Sequence, residues 1–172
     1  MSRSHREGTT RIYASIAASA VLALSGQLAA AGTYELSVSR AGSNVYKVDG
    51  KRILIETRYC YVYAYSESAI LKYTGLGGDL IFLDSKDKCD VKAVYGATSP
   101  KPGKYAVTVS REEDNWYHVF GTNTYIKTYA CLSLALAEDA VLSVAGSGAG
   151  TLVFTDDDDS CMVEGVYSQL KL

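Results

Sequence analysis

Few residues of this chain have the types and spacing that catalysis requires. A Ser–His–Asp site needs a histidine with fixed partners, and His118 is the only histidine after residue 31. No G-x-S-x-G nucleophile elbow occurs. Residues 146–150 are glycine-rich, but no helix that could bind a phosphate is predicted after them. The sequence therefore predicts no catalytic residue, no cofactor and no enzyme, with an enzyme of unrecognised type as an alternative.

Four consecutive aspartates at positions 156–159 form the strongest local charge feature. Clustered carboxylates can bind Ca²⁺, and Asp156 and Asp158 are the candidate ligands. The run lacks the D-x-D-x-D-G spacing of a calcium loop, and the matching residues 84–87 include a lysine. A solvated acidic turn is the favoured interpretation, so no metal site is predicted.

Tyrosines recur at every second position late in residues 53–66, a stretch that reads as one long β-strand. This alternation predicts a tyrosine row on one strand face, made of Tyr59, Tyr61, Tyr63 and Tyr65. Three interpretations remain open for that face: it lines a core, it packs on the matching row of a second unit, or it is an exposed recognition surface. Tyrosine suits recognition because it offers a large contact area and one hydrogen-bonding tip.

An internal repeat organises the sequence. Residues 32–40 and 44–50 match residues 103–111 and 115–121 at an offset of 71, and the offset becomes 72 after the glycine-rich loop. The matching rows differ, because Leu132, Leu134 and Leu136 stand where the first unit has tyrosines. Residues 32–97 and 103–172 are therefore predicted to be homologous units joined by residues 98–102, which hold both prolines of the chain.

Alternation and turn residues predict six strands per unit. In the first unit these are residues 34–39, 44–48, 52–66, 69–73, 79–83 and 89–95. A helix over residues 130–142 is the weaker alternative, since the matching residues of the first unit are β-branched and aromatic. The expected fold class is all-β, with two tandem units that are each a small antiparallel β-barrel or sandwich.

The four cysteines occupy matching places in the two units. The repeat predicts one disulfide per unit, Cys60–Cys89 and Cys131–Cys161, because an ancestral single unit would have carried its own bridge. A unit of about 65 residues buries little apolar area, and closing a 30-residue loop adds about 3–4 kcal/mol of stability. We therefore expect the cysteines to be structural and not catalytic.

The first 31 residues read as a secretory signal peptide. Arg3, Arg6 and Arg11 precede an apolar run at residues 12–24, and Ala29 and Ala31 fit a peptidase site with cleavage after Ala31. Removing this segment changes the formal net charge from −2 to −4. We therefore expect a secreted or periplasmic protein that binds no nucleic acid and inserts stably in no membrane.

Together these features favour an exported, non-catalytic bacterial binding protein. It would recognise a protein or a cell-envelope glycan through a β-sheet face, with the tyrosine row as the contact surface. The alternative is an inhibitor of an extracellular hydrolase that presents loops such as residues 75–78 or 156–159.

Overall fold

The computed structural model describes residues 32–156 and 159–172, and in this part all regular secondary structure is β-strand, as predicted. The first six strands are β1 (Gly32–Gly42), β2 (Val45–Val48), β3 (Ile53–Arg58), β4 (Glu67–Tyr73), β5 (Gly78–Phe82) and β6 (Lys88–Ala97). The next six are β7 (Gly103–Glu113), β8 (Trp116–Val119), β9 (Thr124–Tyr129), β10 (Glu138–Val144), β11 (Gly150–Phe154) and β12 (Ser160–Gln169).

Each set of six strands closes into an antiparallel barrel. In the first barrel the order is β6-β3-β2-β1-β4-β5, and a further pairing of β5 with β6 closes the ring. The second barrel has the same order and is closed by β11 and β12. The hairpins are tight: a Cβ on Gly78 would lie 1.8 Å from the carbonyl oxygen of Lys72, so only glycine fits there.

Two separate cores fill the barrels. In the first barrel, the fully buried ring of Tyr46 packs against Phe82 with ring centroids 5.2 Å apart. In the second, Tyr117 packs against Phe154 at 5.6 Å. Inward-facing residues alternate with outward-facing ones along each strand. The alternation of apolar and polar residues in the sequence therefore predicted where the strands lie. The disulfides Cys60–Cys89 and Cys131–Cys161 staple these cores, as predicted.

The two barrels join where the ends of β6 and β12 pair antiparallel. Gly96 lies opposite Ser168, and these residues hold matching positions in the two barrels, so a pseudo-twofold axis passes between them. Trp116 covers the junction by stacking on Tyr95 at 4.6 Å and contacting Tyr167 edge-on at 5.3 Å. The junction is therefore made of these aromatic rings, and the tyrosine row takes no part in it.

The predicted strand over residues 52–66 is wrong in its second half, because β3 ends at Arg58. Tyr59 adopts a left-handed backbone with φ of 51°, which turns the chain out of the sheet. Residues 130–137 likewise lie outside the strands, and they are not helical. The expectation of a tyrosine-bearing sheet face is corrected accordingly: the row lies beyond the end of the strand.

Candidate functional site

The tyrosine row lies on an extended segment that crosses one end of the first barrel. This segment, residues 59–66, runs from the end of β3 to the start of β4, and we call it the first strap. Both ends are left-handed, with φ of 51° at Tyr59 and 49° at Ser66. Between them the chain is extended but pairs with no strand. The strap therefore closes the barrel mouth without belonging to its wall.

Side chains from the β1–β2 hairpin hold the first strap in place. Asn44, itself left-handed with φ of 54°, accepts a 2.9 Å hydrogen bond at Oδ1 from the N–H of Cys60. The buried Tyr46 hydroxyl donates to the carbonyl of Val62 at 2.8 Å. Farther along, Ser39 Oγ accepts a 2.9 Å bond from the N–H of Ser66. With the disulfide at Cys60, these bonds fix the strap at its start, middle and end.

The tyrosine side chains all point to solvent. Cys60 and Ala64, on the inner side of the first strap, are buried, whereas the alternate residues are 72–91% exposed: Tyr59, Tyr61, Tyr63 and Tyr65. The left-handed turn at Tyr59 reverses which side of the alternation faces the core, because Ile55 and Thr57 before it are buried. The core-lining interpretation of the tyrosines is therefore wrong, and so is packing against the other row.

Charged groups border the tyrosine row. The guanidinium of Arg40 lies 4.5 Å from the ring centre of Tyr63, within cation–π range. Along the other side runs an open groove of about 290 Å³, lined by Tyr59, Tyr61, Val62, Asp87, Lys88 and Cys89. The first strap thus presents aromatic faces, hydroxyl tips, one carboxylate and cationic groups, all of which can form directional contacts.

The second barrel carries an equivalent segment, residues 130–137, which we call the second strap. Asn115 Oδ1 accepts from the N–H of Cys131 at 2.9 Å, and the Tyr117 hydroxyl donates to the carbonyl of Ser133 at 2.6 Å. Left-handed residues again stand at both ends, with φ of 48° at Ala130 and 52° at Ala137. The two straps are therefore supported in the same way.

The outer row of the second strap is aliphatic. Leu132, Leu134 and Leu136 are 80–87% exposed, although sequence reasoning treated them only as plain counterparts of the tyrosines. Exposed Tyr129 and Met162 pair across β9 and β12 beside this row. In the first barrel the corresponding pair is Arg58 and Asp90, which form a 3.0 Å ion pair. The second strap therefore displays an apolar patch without those charges.

The two straps lie at opposite ends of the molecule. Cys89 and Cys161 are the second residues of β6 and β12, and these antiparallel strands pair only through residues 95–97 and 167–169. Each cysteine therefore lies on the far side of the pairing region from the other. At about 3.3 Å per residue along straight strands, the separation is roughly 45 Å at most.

A buried glutamate at the junction was missed by sequence reasoning. Glu56 is 2% exposed and accepts hydrogen bonds from Tyr95 Oη at 2.9 Å and Lys92 Nζ at 3.3 Å. Lys92 also bonds Glu113 of the second barrel at 2.6 Å. Burial and the neighbouring Glu113 raise the pKa of Glu56. The only signal in the sequence was a charged residue on the β3 face that carries Leu54.

The pKa values of the partners complete this cluster. Burial opposes ionisation of Glu113, but hydrogen bonds with Lys92 and Glu56 outweigh it and lower the pKa of Glu113. Burial and the charge of Glu56 raise the pKa of the Tyr95 hydroxyl well above its ordinary value. Because the pKa of Glu56 is raised and that of Glu113 is lowered, Glu56 is the carboxyl group of this pair that binds a proton first. The cluster ties the two barrels together by charge as well as by aromatic packing.

The remaining residues with potential for chemistry make local contacts. His118 Nε2 lies 2.8 Å from the carbonyl oxygen of Thr122, its Nδ1 lies 3.9 Å from Glu112 Oε1, and its ring packs on Tyr125. Ser110 lies opposite His118 on β7, but its hydroxyl accepts a hydrogen bond from the N–H of Ala137. The glycine-rich residues 146–150 lie in the hairpin between β10 and β11, where the N–H of Gly148 bonds the carbonyl of Ala145. Both features have local structural roles in the second barrel.

The calcium candidates are tested only in part. Asp156 is exposed, whereas Asp158 lies outside the described residues. Within residues 32–156 and 159–172, no group of three or more histidine, cysteine, aspartate or glutamate side chains is arranged to hold a metal ion. The same ranges contain no helix with the length and apolar character needed to cross a membrane.

Comparisons with known proteins add no family to this description. No protein-family model, no curated protein and no solved structure matches the chain.

Proposed function

We propose that the chain is an exported, non-catalytic binding protein that recognises its ligand through the tyrosine row of the first strap. The observation that carries this proposal is the near-complete exposure of Tyr61, Tyr63 and Tyr65 on a segment whose inner side is pinned by a disulfide and buried hydrogen bonds. Large apolar side chains that are held rigid and exposed mark interaction surfaces, because folding alone gains nothing from their position.

Rigidity matters to this proposal as much as exposure. Tyrosine loses little conformational entropy on binding, and a backbone fixed before binding reduces the ordering penalty further. The contacts of Asn44, Tyr46 and Ser39 with the strap supply that fixed backbone. The ligand is a protein or a cell-envelope glycan, since both have groups that stack on aromatic rings and bond to hydroxyl tips.

Export of the protein is part of the same proposal. The two disulfides indicate an oxidising compartment, outside the cytoplasm. We infer that residues 1–31 direct secretion to the periplasm or cell surface, with cleavage after Ala31, and that the two barrels descend from a duplicated unit. N-terminal sequencing of the exported protein tests the cleavage: Gly32 as the first residue is expected, and a retained N-terminus contradicts it.

A capture experiment tests the recognition surface. Mature protein on a resin is incubated with envelope extract, beside a Tyr61→Ser/Tyr63→Ser variant and a matched Leu132→Ser/Leu134→Ser variant of the second strap. The tyrosine variant is expected to lose the captured ligand and the leucine variant to keep it. Unchanged capture by a folded tyrosine variant rejects the row as the contact surface. Equal melting temperatures of the three proteins establish that folding is intact.

A second candidate function is inhibition of an extracellular hydrolase. The observation that favours it is Leu76, which is 91% exposed at the tip of the β4–β5 hairpin between two left-handed glycines, Gly75 and Gly77. An exposed apolar side chain on a tight loop can enter an enzyme cleft. Assays of a panel of secreted proteases and glycosidases with and without the protein test this function. Inhibition that is lost in Leu76→Ser is the expected result if this candidate is correct.

A further inference from the structure

The first strap has main-chain N–H and C=O groups that form no hydrogen bond with any other part of the described chain. Among residues 32–156 and 159–172, no hydrogen bond involves the N–H of Tyr61 or either main-chain group of Tyr63 and Tyr65. These three residues are 72–91% exposed, and the alternating burial along residues 59–65 is that of an extended chain. An extended segment with a free edge of this kind is a template for pairing with another chain.

The bonds that the first strap does make show which edge is free. Successive residues of an extended chain direct their N–H and C=O groups to opposite sides. The carbonyls of Val62 and Ala64 accept bonds from Tyr46 Oη and Arg40 N, which lie on the side of the β1–β2 hairpin. The long side chain of Arg40 also reaches the carbonyl of Tyr61, with Nη1 3.4 Å away. The N–H and C=O of Tyr63, between Val62 and Ala64, are therefore the groups directed to the opposite side, towards the β5–β6 hairpin.

Space for a partner exists on that side. An open groove of about 290 Å³ lies between the first half of the strap and the β5–β6 hairpin, with Tyr59, Tyr61 and Val62 on one wall and Asp87 and Lys88 on the other. No hydrogen bond within the described residues crosses it between the strap and residues 83–88. The disulfide Cys60–Cys89 closes only its narrow end, with Cα atoms 5.5 Å apart.

We propose that the ligand of the tyrosine row is an extended polypeptide segment, which pairs with the free edge of the first strap and enters this groove at the Tyr61 end of the row. The segment bonds to the N–H of Tyr61 and to the main-chain groups of Tyr63 and Tyr65, as an added β-strand does. Its side chains contact the tyrosine rings, and Asp87 and Lys88 favour a segment with charges of both signs. This inference rests on the proposed function of the row.

The free edge distinguishes a peptide from a glycan. Aromatic rings and hydroxyl tips serve either ligand, but alternating main-chain donors and acceptors in an extended line match the repeat of another polypeptide. A glycan has no such repeat, so its hydroxyls can bond single groups of the edge but cannot match the edge in register. The decisive test is therefore one that removes a main-chain N–H without changing what remains of the ring surface.

Peptide selection and a proline substitution provide that test. Linear 12-residue peptides displayed on phage are selected on the disulfide-intact mature protein, and the dissociation constant of the best free peptide is measured by calorimetry. Tyr63→Ala removes the ring and keeps the N–H, whereas Tyr63→Pro removes both. Because Tyr63→Pro loses one main-chain hydrogen bond to the peptide, its dissociation constant is expected to be about tenfold higher than that of Tyr63→Ala. Leu134→Pro, the matched change in the second strap, is expected to leave binding unchanged.

A glycan arm separates the possible outcomes. Chitin, β-glucan and peptidoglycan fragments are titrated in the same way. Recovery of no peptide, or equal affinities of Tyr63→Ala and Tyr63→Pro, overturns peptide pairing. Glycan binding that Tyr63→Ala abolishes also overturns it but leaves the tyrosine row as the recognition surface. If neither peptide nor glycan binds and envelope capture is unaffected by the tyrosine substitutions, both proposals fail.

Amide hydrogen exchange provides a second measurement should Tyr63→Pro unfold. Addition of the selected peptide to the unmodified protein is expected to slow exchange at the N–H groups of Tyr63 and Tyr65 more than tenfold, with Leu134 and Leu136 unchanged. Unchanged exchange at Tyr63 and Tyr65 overturns main-chain pairing. Self-association of the protein at the same edge, seen as a concentration-dependent sedimentation coefficient abolished in Tyr63→Pro, also overturns it because the occupant is then a second copy.

Discussion

The two straps have the same supports and display different surfaces. Asn44 and Tyr46 hold the first strap as Asn115 and Tyr117 hold the second, with hydrogen bonds of similar length. Yet the first displays tyrosines beside charged groups, and the second displays leucines beside Tyr129 and Met162. The inward-facing residues set the course of the backbone, so the outward-facing residues can differ without a change of fold.

A charged pair near the junction differs between the barrels in a similar way. In the first barrel Glu56 bonds Lys92, and in the second the same positions hold Lys127 and Glu164, with the charges exchanged. Lys92 and Glu164 each occupy a β-bulge, where the ladder register shifts and the side chain can reach across to its partner. The geometry is thus the same in both barrels, although the order of the charges is not.

The disulfides test whether the straps are structurally equal. Replacing Cys60 and Cys89 with alanine is expected to lower the free energy of unfolding by about 3–4 kcal/mol, because the closed loop holds about 30 residues. Cys131→Ala/Cys161→Ala is expected to have the same effect, since its sequence separation is 30 against 29. Urea unfolding monitored by circular dichroism measures both, and losses that differ by more than 1 kcal/mol contradict structural equality.

The asparagines test the start of each strap. Asn44→Ala is expected to destabilise the protein by about 2 kcal/mol, because alanine is unfavourable at a φ of 54° and leaves the N–H of Cys60 without its acceptor. Glycine adopts this backbone conformation without strain, so Asn44→Gly is expected to lower the free energy of unfolding by only about 1 kcal/mol, for the lost hydrogen bond. Asn115 should give the same pair of values in thermal unfolding. Equal effects of alanine and glycine would show that backbone conformation contributes nothing.

The exchanged charges predict a pH effect located at Glu56. Its pKa is raised in the folded state, so the folded protein holds this proton more tightly than the unfolded chain. Stability therefore falls as pH rises from the ordinary pKa of a glutamate through the raised value. The pKa of Glu113 is lowered, so its contribution to stability is lost only as pH falls below the ordinary pKa of a glutamate, which is outside this range.

Glu56→Gln removes that titration and is expected to flatten the decline in melting temperature over this pH range. Glu113→Gln is a matched control, because it removes a group that raises the pKa of Glu56 and should shift the decline to lower pH. A decline in Glu56→Gln as steep as in the unmodified protein would show that another group causes it.

Exchange of the displayed rows has the smallest expected effect on stability and the most direct bearing on function. Leu132→Tyr/Leu134→Tyr/Leu136→Tyr changes only exposed side chains, so each substitution should alter the free energy of unfolding by less than about 0.5 kcal/mol. The variant is expected to bind the ligand of the first strap at a second site, raising the calorimetric stoichiometry above one. Stoichiometry that stays at one would show that the groove with Asp87 and Lys88 is also required.

Much of the fold was predictable from alternation and turn chemistry. Both disulfides and the all-β class were predicted, because the cysteines and the strand pattern recur at matching positions. The exit of the chain from the sheet at Tyr59 was not. The period of two continues unbroken through that residue in the sequence, and nothing local to a tyrosine indicates a left-handed backbone.

The tyrosine row itself was identified in the sequence, but its exposure was not. Alternation assigns residues to two faces without saying which face is buried, and at Tyr59 the buried face changes. The contacts of Asn44, Tyr46 and Arg40 with the strap were also missed, since these residues lie more than ten positions away from their partners.

By itself the sequence determined which residues lie side by side along each strand and which cysteines pair, since both depend on local periodicity and on recurrence. The tertiary structure decided which side of the strap faces water. That choice depends on Asn44 and Tyr46 reaching the strap from another hairpin and on the disulfide to Cys89, and these distant contacts hold Cys60 and Ala64 inward. The tyrosines are exposed because the opposite side of the same backbone is anchored in the barrel.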